Sequence, residues 1–466
     1  ALVLLYRLLF LFYAEDRNLL PVRDERYAPY SVRRIREEVR DKVDARAMFS
    51  STVGRIWLDL KGAFTLIDKG DDEVGMPAYN GGLFDRARAP LLERTNVPDK
   101  VMAPIIDALS RRTEDLLRGW INYRDLAVAH LGGIYERLLE YSLVHEVQAK
   151  DDYKDKPEIN RIIAVPASFA RKISGSYYTH DDLVRLILRE SVGQLAHARM
   201  DSFTAHLGKW RKKTSLNPSE WEALDARDPA SQMLEFKICD PAMGSGHFLV
   251  SLVDDLADRV LEAIATATLD VNAQPSAAHL AESGRPWQSP VLARISHIRR
   301  SIKTTASTHG WAVTDAQLDD RHIVRRMILK KTIFGVDKNP MAVELAKTAL
   351  WLHTFTVGAP LSFLDHHLKV GDSLHGEQLP QVQKGLQNLG ALLLQTEFDR
   401  LAKAASNIAQ VADLTDVDIA EAQLSKLLAT EASAQVAPIL AVLDFWRALR
   451  WLIPGWPVAK LSQLPK

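Results

Sequence analysis

The sequence has one cysteine, Cys239, in 466 residues, so no disulfide forms within the chain, and a reducing, cytoplasmic setting is expected. Neither charge is in excess: 59 lysines and arginines balance 59 aspartates and glutamates, so no global basic field announces nucleic acid. The 14 histidines are scattered and none shares zinc spacing with the cysteine, so no metal is expected. The apolar stretch from Ala1 to Ala14 is too short to span a bilayer. It carries Arg7 and has no small-residue cleavage pattern before Glu15 to Arg17. It reads as a buried helix, and no membrane partner is expected.

What the sequence does carry centres on Phe236-Lys-Ile-Cys-Asp-Pro-Ala-Met-Gly-Ser-Gly-His-Phe-Leu249. Leu234, Phe236 and Ile238 alternate with polar residues as a strand does, and the run breaks at Asp240-Pro241 into a glycine turn. A helix should follow, because Leu249, Leu252, Val253, Leu256 and Val260 recur at three- and four-residue spacings. Gly244 and Gly246 let a ligand lie against the backbone at the helix N-terminus. A dinucleotide fingerprint would need glycine where Leu249 stands, and the Gly-Lys-Ser/Thr of a phosphate-binding loop is absent. Asp240, at the strand end, is suited instead to a cationic or hydroxylated group.

A second strand, Thr332 to Val336, ends at Asp337, with Asn339 as N-cap and Pro340 as the first helical residue. A carboxylate at that position can accept hydrogen bonds from both hydroxyls of a ribose. A third short strand in His367-Leu-Lys-Val-Gly-Asp-Ser-Leu374 places Asp372 within reach of an adenine amino group. Three successive strands ending in acids outline one adenosine-shaped pocket at the carboxyl edge of a sheet.

Asp240-Pro-Ala-Met-Gly-Ser-Gly-His-Phe-Leu249, Gly335-Val-Asp-Lys-Asn-Pro-Met-Ala-Val-Glu-Leu-Ala-Lys347 and Gly371-Asp-Ser-Leu374 closely resemble motifs I, II and III of the gamma-class DNA adenine-N6 methyltransferases. Gly175-Ser-Tyr-Tyr-Thr-His180 resembles their motif X. The resemblance is to the large enzymes of type IIG restriction-modification and of BREX- or DISARM-like phage defence. It extends to Leu4–Pro21, Tyr79–Asp85 and Leu131–Glu140. It implies a site for S-adenosylmethionine. Tyr178 and Thr179 would hold the methionine carboxylate, and Asp240 with Ala242, Met243, Gly244, Ser245 and Gly246 its amino end. Asp337 would take the ribose hydroxyls, Lys338 would lie against the adenine ring, and Asp372 with the Ser373 backbone would read the adenine edge. The sequence departs from the family at His180, where proline is usual, and at Lys338, where an apolar residue is common.

The expected architecture is α/β: a helical N-terminal domain over 1–170, then an incomplete Rossmann-like methyltransferase sheet over 171–376 with a helical insertion at about 266–325, then a helical segment over 377–466. Residues 20 to 170 read as mostly helical, and 150 to 171 as a charged, partly extended linker. Arg33–Lys42 reads as a solvated helix face; Ser296–Lys303 and Arg325–Lys331 are local basic patches that could meet phosphate. Cys239 reads as a small hydrophobe in a buried strand. The family's Asn/Asp-Pro-Pro-aromatic tetrapeptide is missing: Asn-Pro occurs only at 217 and 339, and neither continues with Pro-aromatic. In the family that tetrapeptide accepts the target amine and stacks the flipped base, so no catalytic residue is assigned. The chain opens on Ala1 inside an apolar pattern and reads as a portion of a longer polypeptide. That polypeptide would methylate double-stranded DNA, alone or with defence-system subunits, while this portion binds the cofactor without transferring the methyl group. The alternatives are a non-catalytic cofactor-binding subunit and an amino-methyltransferase acting on RNA or protein.

Overall fold

The apolar start of the chain forms helix α1 (Leu2–Asp16), in which Phe10, Leu11 and Phe12 are wholly buried. The computed structural model describes residues 2–79, 82–112, 118–125, 141–148, 159–166, 179–210, 213–277, 286–310, 313–376, 380–382, 395–414 and 419–452. Around α1 pack α2 (Val32–Asp44), α3 (Arg55–Lys69) and α4 (Asp99–Ser110). Two charges inside α1 are answered locally. The Arg7 guanidinium donates to the Leu83 carbonyl at 2.9 Å and lies 5.2 Å from the Phe64 ring centre. The Glu15 carboxylate accepts from the backbone N–H groups of Val32 and Arg33, each at 2.8 Å, and from the Tyr27 hydroxyl at 2.9 Å. It caps α2 in place of Ser31, whose side chain makes no cap bond of its own. The solvated face expected for Arg33–Lys42 holds for Arg33, Glu37, Asp41 and Lys42, which are exposed, but not for Arg36, which is buried against Asp16 and Ser110.

The helical expectation for 20–170 fails at its end. Strands β1 (Tyr141–Gln148) and β2 (Ile159–Pro166) form an antiparallel ribbon with Tyr141 opposite Pro166. Val144, opposite Ile163, and Val147, Ile162 and Val165 are β-branched residues that fit a pleated ladder better than a helix. The resemblance segment 131–140 lies outside the described residues, as do Asn80 and Gly81.

Helices α5 (Asp181–Leu188), α6 (Gln194–Trp210, joined to α5 by a π-helical turn), α7 (Pro218–Asp225) and α8 (Pro229–Leu234) lead to the second sheet. Leu234, expected in a strand, closes α8 instead, because Asp228 caps that helix and Pro229 starts it. The sheet is parallel, in the order β3 (Ile238–Asp240), β4 (Ile333–Asp337), β5 (Leu368–Val370). Its register sets Asp240 beside Gly335 and Asp337 beside Val370. Helix α9 (His247–Asn272) follows β3 and buries Leu249, Leu252, Val253, Leu256 and Val260. On the opposite sheet face Cys239 and Lys369 are exposed and Phe334 is half-buried. Cys239 is therefore not a core residue: which face of a short strand is covered depends on elements far away in the chain.

Helix α9 runs past the expected start of the insertion, which adds α10 (Pro290–His309) and α11 (Asp320–Lys331). The two basic patches serve the fold. Arg299 pairs with Asp320, Lys303 with Asp315 and Lys331 with Glu235. Arg326 is buried, donating to the Pro360 carbonyl at 2.7 Å. Helix α12 (Pro340–His353) follows β4. The last described elements are α13 (Gln395–Asp413) and α14 (Ile419–Leu452), which pack on one another. Within α14, Ala420–Ala448 is long and apolar enough, by length and composition, to cross a membrane, and 17% of its most apolar stretch is buried. Residues 453–466 lie outside the described residues. The whole is a mixed α/β architecture, mostly helical, with two small sheets.

One hydrophobic core runs through both halves. Phe355, just after α12, lies 5.9 Å from Phe10 of α1 and 4.8 Å from Tyr79, ring centre to ring centre. Replacing Glu15 with alanine strands four donors, the Tyr27 and Ser31 hydroxyls and the Val32 and Arg33 N–H groups, and a loss of about 3 kcal/mol is expected. The denaturant midpoint checks this; an unchanged midpoint would mean that α2 does not depend on the cap.

Candidate functional site

The three acids stand at the carboxyl ends of three neighbouring parallel strands. Asp240 closes β3, Asp337 closes β4 and Asp372 follows β5 by two residues. By register Asp337 is two residues further along the strand direction than Asp240, about 6–7 Å at the usual strand rise. Helices α9 and α12 start from the same edge, so their N–H-bearing ends face the same space as the carboxylates.

Asp337 organises this edge. One of its oxygens accepts the Gly244 N–H at 2.9 Å; the other accepts the Asn339 N–H at 2.8 Å. It thereby holds the glycine turn and the entry to α12 together. Asn339 caps α12 through the Met341 N–H at 2.9 Å, with Pro340 in the first turn, as the sequence predicts.

The two glycines have different tasks. Gly246 has φ +84°, and a Cβ there would sit 3.0 Å from the Ala346 Cβ, so it is required for close packing of the turn on α12. Gly244 has φ +54°, and a Cβ there would meet nothing within 4 Å; its open side is where a ligand can reach the backbone. The turn is seated by Met243, which is buried, whose N–H donates to the Val336 carbonyl at 3.0 Å and whose sulfur occupies the space over Gly335. Sequence reasoning included Met243 in the loop without seeing this role; a glycine facing it in β4 is the only signal it left.

Asp240 accepts the Ala242 N–H at 3.0 Å, and burial, with the neighbouring charge of Asp337, pushes its carboxyl above the usual range. Ala242 is exposed and Ser245 half-buried on the turn. Thr179 is half-buried just before α5, and Tyr178 lies outside the described residues. His180 does what a proline-containing turn would leave undone: its Nδ1 accepts the Asp182 N–H at 3.3 Å and caps α5. Asp181, the first residue of α5, lies 3.0 Å from Nε2 of His247, the first residue of α9, so the start of α5 is tied to the glycine turn. That pairing was not foreseen, since 66 positions separate the partners in sequence.

Asp372, Ser373 and Lys338 are more open. Asp372 is exposed in a turn, accepting from the Leu374 N–H at 3.0 Å, with His375 Nδ1 3.2 Å away; these contacts hold its carboxyl below the usual range. Ser373 is exposed beside it, and Lys338 is exposed next to Asp337. Among the described residues no group of histidine, cysteine and acid side chains is arranged to hold a metal ion. No family model matches the chain, and no curated protein and no solved structure matches it.

Gly246→Ala is expected to lower the thermal midpoint clearly, by strain and by contact with Ala346. Gly244→Ala is expected to cost only the roughly 1 kcal/mol of a left-handed residue. Thermal melts of the two variants check the division of labour, and equal losses would refute it.

Proposed function

We infer that this sheet edge binds S-adenosylmethionine and that the protein serves methylation of adenine N6 in double-stranded DNA, within a restriction-modification or phage-defence system. The observation that carries the reading is the convergence of Asp240, Asp337 and Asp372 at neighbouring ends of one parallel sheet, beside a glycine turn whose Gly244 is open. In this reading the sheet is the cofactor half of a Rossmann-like methyltransferase.

The chemistry favours a cationic nucleoside over a phosphorylated one. A carboxylate with its pKa raised by burial and by a second acid gains from a nearby positive charge, and a phosphate at the same place would be repelled. S-adenosylmethionine offers a sulfonium and an ammonium there. Asp337 uses one lone pair on each oxygen for backbone N–H groups, which leaves about two of its four for a ribose diol. Asp372 and the Ser373 backbone suit the adenine edge, and the Lys338 stem its face; Thr179, with Tyr178, would take the carboxylate.

Methyl transfer itself needs an acceptor site, and the Asn/Asp-Pro-Pro-aromatic tetrapeptide is not in the sequence. The chain therefore binds the donor without positioning an adenine amine for in-line attack. The same missing tetrapeptide favours, as the second reading, a cofactor-binding subunit that never methylates.

Calorimetry tests the site. Asp337→Ala is expected to weaken S-adenosylmethionine binding at least about tenfold, roughly 1.4 kcal/mol; wild-type affinity in that variant would overturn the assignment. The ionised form of Asp240 is the one that attracts the ligand, so binding is expected to weaken as pH falls from neutral toward the raised Asp240 pKa. Asp240→Asn is expected to bind more weakly and to lose that dependence; an identical pH profile in the variant would remove Asp240 from the site. Tritium transfer from labelled cofactor to duplex DNA by this chain alone is expected to be nil, and labelled DNA would contradict the non-transfer reading.

A further inference from the structure

The seam between α1 and the helices that cover the sheet holds a cavity of about 600 Å3, a size usual for small-molecule sites and separate from the three-acid edge. Leu188, Val250 and Phe355 give it an apolar wall. Its acids are already answered: Asp181 by His247 at 3.0 Å, Asp255 by Arg259 at 2.7 Å, and Asp254 twice, by Arg325 at 2.6 Å and His353 at 2.9 Å.

Its donors are not. Tyr13 lines the cavity with only 2% of its surface exposed, and its hydroxyl has no hydrogen-bond partner among the described residues. Arg17 lies with its guanidinium carbon 4.7 Å from the centre of that ring. It donates Nε to the Arg124 carbonyl at 3.0 Å, which leaves its terminal nitrogens available to the cavity. Arg325 completes the wall, with a buried Nε that has no partner. Both guanidiniums are close enough to oppose the rise that burial imposes on the Tyr13 hydroxyl. Buried donors without acceptors are rare in folded proteins. Water would satisfy the hydroxyl, but it would leave uncancelled the charge of Arg17, which has no carboxylate partner among the described residues, whereas Arg325 is paired with Asp254.

We propose that this cavity binds a small molecule in which an oxyanion, phosphate or carboxylate, is joined to an apolar or aromatic body. The Tyr13 hydroxyl with the Arg17 and Arg325 guanidiniums holds the anion, and Leu188, Val250 and Phe355 hold the body. This second site does not depend on the cofactor reading.

Titration calorimetry on the full chain at fixed ionic strength, with inorganic phosphate, phenyl phosphate and benzoate as probes, tests it. Phenyl phosphate or benzoate is expected to bind at least tenfold more tightly than inorganic phosphate, and which of the two wins identifies the anion. Arg17→Gln, at an exposed position, is expected to weaken the better probe at least tenfold. Tyr13→Phe, which removes only the hydroxyl, is expected to weaken it several-fold. Absence of heat with all three probes, or equal affinity in wild type and Arg17→Gln, would overturn the proposal.

Discussion

The bond from the Gly244 N–H to the Asp337 carboxylate is the constraint on which the candidate site rests. It spans two crossover units, fixing the turn after β3 to the end of β4, and the second oxygen of the same acid fixes the start of α12. Without it, the glycine turn would be held mainly by Met243 and by the close approach of Gly246 to Ala346. Asp337 is thus a structural clamp and, in the proposed reading, the ribose acceptor as well. In that reading a cofactor entering here has to add to, or exchange with, bonds that already exist, which would couple the loop energetically to the ligand.

The helical N-terminal half supports the site through packing. Its aromatic contacts, Phe10 and Tyr79 with Phe355, reach the far end of α12, whose beginning lies at Asp337. The Leu361 N–H donates to the Tyr79 carbonyl at 2.7 Å, just ahead of the strand that leads to Asp372. The seam carries both the cavity, with Tyr13 and Phe355 in its wall, and the ring contacts of Phe355 with Phe10 and Tyr79.

Much of the sheet edge was legible because its signals are local. Asp-Pro after a strand, Asn339-Pro340 at a helix start and glycines in a turn each carry their own backbone preference. The same kind of local signal, Asp228-Pro229, starts the helix that Leu234 closes, and it went unread beside the alternation of Leu234, Phe236 and Ile238. The β1–β2 ribbon was legible in its β-branched residues, yet charged neighbours masked it. Properties set by distant partners left no mark in the sequence. These include Glu15 capping another helix, the basic residues around 299–331 spent on internal pairs, and the exposure of Cys239. Cys239 is accessible but not activated, since partial burial and the charge of Asp240 push its thiol pKa up.

In the proposed function the acids at the ends of β3, β4 and β5 and the turn at Gly244 act together on a single bound nucleoside. Amide hydrogen exchange with and without S-adenosylmethionine reads that directly. Slower exchange confined to 240–246, 337–339 and 372–375 on addition of the cofactor is the result the account predicts. Unchanged exchange in those segments, under conditions where binding is independently detected, would contradict it.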